Sequence, residues 1–75
     1  MKNSTEFNWI NHGSFLIQKD PWLAQKLISE GIKKSPYTPI AYIKLGICLR
    51  TQKRYREALR AYDLGKKLSK YETKN

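Results

Sequence analysis

Residues 42–62 read YIKLGICLRTQKRYREALRAY, and the spacing of their apolar residues decides the fold. Tyr42, Leu45, Gly46 and Leu49 fall three and four apart, the period that gathers side chains on one face of an α-helix. The polar run Thr51-Gln52-Lys53-Arg54 interrupts them. Tyr55, Ala58, Leu59, Tyr62, Gly65 and Leu68 then resume helical spacing. Two helices joined by so short a turn lie antiparallel.

Working outward, Thr38-Pro39 opens the first of these helices. It supplies a capping residue and a proline whose missing N–H costs nothing in a first turn. Ser35-Pro36 ends what comes before, because proline disfavours helix in the residue that precedes it. Asp20-Pro21 repeats the cap-plus-proline signal and predicts a helix running to about Lys34, and Ser4 or Thr5 caps an earlier one through about Gln18. The helix from Pro39 ends near Thr51, and the fourth leaves only Tyr71 to Asn75 beyond it. No segment alternates apolar and polar residues long enough for a strand. The expected class is all-α, two antiparallel helical hairpins in series.

The two hairpins resemble each other. Ala24 and Ala58, Ile28 and Tyr62, and Gly31 and Gly65 are each 34 apart, while Trp9 and Tyr42, Gly13 and Gly46, and Leu16 and Leu49 are each 33 apart. The one-residue difference falls between the helices of a hairpin, where a turn absorbs it. Glycine and alanine at the matched positions let helices approach closely, and Trp9, Leu16, Tyr42, Leu45, Leu49, Tyr55 and Tyr62 are the expected core.

With this period and these residues the chain resembles the tetratricopeptide repeat family, whose pattern is W-x2-L-G-x2-Y, then A-x3-F, then P. The second repeat supplies Tyr42, Leu45, Gly46 and Leu49, then Ala58 and Tyr62, and Tyr55-Arg56-Glu57-Ala58-Leu59 looks like the family's turn-to-helix segment. The first supplies Trp9, Gly13, Leu16, Ala24, Ile28 and Pro36. It departs at His12, where leucine is usual, and the second departs at Lys70 and in lacking a glycine around Lys53. The resemblance implies a single domain over 1–75, a short α-solenoid with repeat one at about 6–38 and repeat two at about 39–72. It also implies that the first helix of each repeat lines a concave surface. Ile40, Ile43, Ile47 and Arg50 would then line a groove, joined by Ile10, Ser14 and Ile17 from the first repeat. Ile43 and Ile47 stand where some family members carry the asparagine and lysine that clamp a C-terminal carboxylate, so a clamp of that kind is not expected.

The residues agree with a binding rather than a catalytic role. His12 and Cys48 are the only residues of their types, and both fall at helix-packing positions. The carboxylates are scattered, no glycine-rich phosphate loop occurs, and one histidine with one cysteine cannot complete a four-ligand metal site. No cofactor is expected. A lone cysteine cannot form an intramolecular disulfide, which favours a reducing compartment. The N-terminus carries no apolar run of the kind that a signal or membrane span needs, and the expectation is a cytoplasmic protein.

Two surfaces remain. Ile40, Ile43 and Ile47 follow one another at helical spacing away from the core face, which makes that helix apolar nearly all round. Lys44 and Arg50 beside them can meet acidic residues of a partner. Lys53, Arg56, Arg60 and Lys67 form a basic stripe on the fourth helix. Net charge is +9, and residues 39–75, with 10 basic and 3 acidic side chains, carry +7 of it. Such a field attracts acidic proteins or nucleic acid. The leading expectation is therefore a non-catalytic interaction module that binds a helix or peptide of an acidic protein. The alternatives are a nucleic-acid binder using the basic stripe, or a homodimer closed over Leu59, Leu64 and Leu68.

Overall fold

The computed structural model describes residues 16–73. They form three helices, α1 (Pro21–Lys34), α2 (Pro39–Thr51) and α3 (Tyr55–Thr73), and no strand occurs among the described residues. The expected helix preceding Gln18 lies outside them. Ahead of α1, the N–H groups of Lys19 and Asp20 both donate to the Leu16 carbonyl, at 3.0 and 2.7 Å.

Each helix end has a local cause. Pro21 opens α1, and the Asp20 carboxylate accepts the Leu23 N–H at 3.1 Å, which satisfies one of the donors a helix start leaves over. Lys33 and Lys34 place positive charge at the negative end of the α1 dipole. The start of α2 differs from expectation. The Thr38 hydroxyl lies 2.7 Å from that of Ser35 and makes no cap bond, so Pro39 sets the start, while the Thr38 carbonyl accepts the Ala41 N–H at 3.1 Å. The Tyr42 hydroxyl donates to the Pro36 carbonyl at 2.8 Å and ties this turn down.

The α2–α3 turn explains how the chain reverses without glycine. Lys53 takes φ 65°, the left-handed region. Its N–H donates to the Arg50 carbonyl at 2.8 Å, and the Arg54 N–H donates to the Leu49 carbonyl at 2.9 Å. This pair of bonds is the Schellman closure of a helix C-terminus, and it places the strained residue where glycine is usual.

Helix α2 packs on both neighbours, whereas α1 and α3 do not pack on each other. On one side Ile17, Ala24, Ile28 and Cys48 form a buried cluster with Leu16, Ile32, Leu45 and Ile47 against it. On the other, Leu49, Ala58 and Ala61 are buried with Leu45 and Tyr62. Leu45 belongs to both. Ile28 and Leu49, nearly or wholly sealed from water, each contribute about 1.5–3 kcal/mol. The pairing of Gly46 with Tyr62, and of Gly65 with Ile43 and Pro39, shows that α2 and α3 run antiparallel.

Two expectations are corrected. Tyr55, assigned to the core, is 58% exposed. It sits in the first turn of α3, where α2 has already ended, so little lies opposite to cover it. Helix α3 also continues past Lys70 to Thr73.

Candidate functional site

The absence of a β-carbon at Gly65 shapes an open concavity between α2 and α3. A β-carbon there would meet Ile43 Cδ1 at 2.9 Å and the Pro39 carbonyl oxygen at 3.0 Å, so glycine is what lets the N-terminal half of α2 lie this close to α3. Beside that contact the helices leave an open groove of about 780 Å³, walled by Thr38, Pro39, Ile40 and Ile43 of α2 and its approach, and by Tyr62, Gly65, Lys66, Ser69 and Lys70 of α3. Ile40 is 47% exposed, a large aliphatic group facing water with no cover among the described residues. The lining is mostly apolar, with lysine at one rim.

Of the residues expected to bind a partner, Ile40 and Ile43 share this groove. Ile47 does not; it packs against the cluster of Ile17, Ala24, Ile28 and Cys48. Ile17 is a correction. At 5% exposure it belongs to the core and offers nothing to a partner, because the turn before α1 folds it onto Ala24 and Ile28. Lys44 is half-buried and Arg50 is exposed, both away from the groove. Ile10 and Ser14 lie outside the described residues. Sequence reasoning missed the α3 wall, because Gly65 and Lys66 signal a groove only once the partner helix is known to stop short of filling it.

The basic stripe is exposed at Lys53, Arg56, Arg60 and Lys67. Lys53 belongs to the turn rather than to α3, and Lys67 pairs with Asp63 at 3.4 Å, a carboxylate set among the cations. The expected apolar flank is not one surface. Leu59 and Leu64 are 66% and 44% exposed, but at about 100° per residue they point to different sides of the helix, with only the half-buried Leu68 beside Leu64.

A polar node holds the other end of the molecule. Arg54 donates to Gln25 Oε1 at 3.0 Å and to Gln52 Oε1 at 2.6 Å, and pairs with Glu57. Gln52 Nε2 donates to Gln25 Oε1 at 2.9 Å and to the Pro21 carbonyl at 3.3 Å. The Arg54 guanidinium lies 5.4 Å from the centre of the Trp22 ring. These contacts join α1, the α2–α3 turn and the start of α3, and no buried polar side-chain atom among the described residues lacks a partner.

Cys48 adjoins the node. Its thiol donates to the Pro21 carbonyl at 2.9 Å, and burial pushes its pKa up, opposed by the hydrogen bond from Gln52 and the charge of Arg54. A buried, protonated thiol is a poor nucleophile. His12, its only imaginable catalytic companion, lies outside the described residues. Among the described residues no group of histidine, cysteine or carboxylate side chains has metal-binding geometry, and no helix is long and apolar enough to cross a membrane.

No family model, curated protein or solved structure matches this chain.

Proposed function

We propose that the chain is a non-catalytic interaction module, similar to a two-repeat tetratricopeptide array, that receives a helix or peptide of an acidic protein in an apolar groove. The observation that carries this is the open groove walled by Ile40, Ile43 and Tyr62, where a half-exposed isoleucine sits over a close helix contact. Exposed aliphatic surface in a concavity is the usual mark of a protein contact. The repeat reading draws support from α2, which packs on the helix before it and the helix after it as a nearest-neighbour array requires. Two stacked hairpins over 1–75 belong to this proposal. The single cysteine, free and buried, suits a reducing compartment such as the cytoplasm.

The test is capture of partner proteins by the tagged chain, compared with Ile40→Asp and with the double variant Arg56→Glu/Arg60→Glu. The proposal expects Ile40→Asp to abolish capture while helicity is unchanged, because it puts an unpaired charge into an apolar contact. Loss of capture only with the arginine variant would overturn it.

The second reading is nucleic-acid binding, favoured by the exposure of Lys53, Arg56, Arg60 and Lys67 along one side. Phosphate binding releases counterions, so affinity would fall linearly on a log-log salt plot, whereas a groove contact resists salt. Tyr62 lines the groove rather than the stripe, but Tyr71, 72% exposed and four residues past Lys67, stands on the stripe's side and can stack on a base.

A further inference from the structure

The chain contains its own example of how such a helix face is covered. In the first half Ile28 is fully buried and Ile32 packs against the same cluster, both under the helix that follows, α2. The matched positions 34 residues later are Tyr62 and Lys66, on α3. Both wall the groove; Tyr62 also packs on Gly46 and Leu49 of α2, whereas Lys66, the counterpart of Ile32, is exposed with no helix of the described chain over it. The groove therefore stands, relative to α3, where α2 stands relative to α1. Both positions differ between the two faces, and the second difference changes the chemistry. Where the first has the aliphatic Ile32, the second has the exposed cation Lys66.

Resting on the proposed interaction function, we infer that the groove takes one amphipathic helix of another protein. That helix lies across Ile40, Ile43 and Tyr62 much as α2 lies across α1, with a carboxylate on the edge that meets Lys66. Charge selects this occupant over a second copy of the chain. A copy brings +9 toward a half that already carries most of its own +9, so like charges would face each other across the groove.

The experiment titrates the isotope-labelled full chain with two synthetic helical peptides of identical Leu/Ala face, one with glutamate along both edges and one with lysine. Amide shifts and affinities are read by NMR. The glutamate peptide is expected to bind, with shifts at Ile40, Ile43, Tyr62 and Lys66, and the lysine peptide to bind more weakly. Ile40→Glu should weaken the glutamate peptide roughly tenfold or more, and Lys66→Glu by roughly two- to fivefold, as befits an exposed ion pair, while improving the lysine peptide. Both variants sit on exposed positions, and their unchanged spectra away from the groove verify the fold. Shifts confined to another face overturn the groove assignment and leave the interaction function standing. Shifts with neither peptide overturn both. Equal binding of the two peptides removes the acidic edge, and groove shifts that grow with protein concentration alone assign the groove to a second copy instead.

Discussion

The ring of Tyr62 lies in the space that a side chain at Gly46 would need: a β-carbon there would stand 2.6 Å from Tyr62 Cδ1 and Cε1 and 3.1 Å from Cγ. The ring cannot swing clear as a flexible chain end would, since it also packs against Leu49, Ala58 and Ala61. The helix-propensity gain from removing glycine, about 1 kcal/mol, is therefore opposed already in alanine and outweighed further in anything larger. Gly46→Leu should lower stability by about 1–3 kcal/mol in urea denaturation. A raised midpoint would show that α2 and α3 can part without cost.

Lys53 predicts the opposite sign. A side chain in the left-handed region costs about 1–2 kcal/mol, and glycine there pays nothing for its Cβ. Lys53→Gly should raise the melting temperature. Lys53→Val, whose branched side chain resists this conformation, should lower it. Equal melting of the two variants would remove the turn from the account of stability.

Arg54 predicts a cost that lysine cannot make good. Its Nη1 donates to both Gln25 and Gln52, its Nη2 pairs with Glu57, and the guanidinium lies over Trp22. A single ammonium cannot reproduce that fork. Arg54→Ala should destabilise by about 1–2 kcal/mol, allowing for partial exposure of the group, and Arg54→Lys should recover less than half. The readout is chemical denaturation, and full recovery by lysine would reduce the node to a simple charge.

The thiol of Cys48 gives a pH dependence. Burial raises its folded-state pKa above the ordinary 9.0, so the folded chain holds this proton after the unfolded chain has released it. The resulting stability is complete below pH 9.0 and is lost as pH rises from there through the folded value. Cys48→Ala should flatten that alkaline decline relative to the wild type, each followed by urea denaturation from pH 7 to about 10.5. Identical slopes would place the titrating group elsewhere.

What the sequence made legible follows from which forces are local. The starts of α1 and α2 were readable because Pro21 and Pro39 act on their own backbone, and the period of Tyr42, Leu45 and Leu49 announced the buried face of α2. The φ of Lys53 was not readable, because only the required reversal between two helices imposes it. Nor was the Arg54 node, whose hydrogen-bond partner Gln25 is 29 residues away. The burial of Ile17 was not readable for a related reason. An apolar residue at helical spacing has the same signature whether it faces a partner or a neighbouring turn, and only the packing of Ile17 onto Ala24 and Ile28 separates the cases.

Because α2 is the one helix that touches both others, and Leu45 is shared by both clusters, the described chain has a single keystone. Helix α1 or α3 can open with the other interface intact, but opening α2 dissolves both at once. Amide hydrogens of α2 should therefore exchange only through global unfolding, while those of α1 and α3 exchange through separate, cheaper openings. A helix seated in the groove would press on α2 and α3 together and slow exchange in those two, leaving α1 the least protected of the described helices.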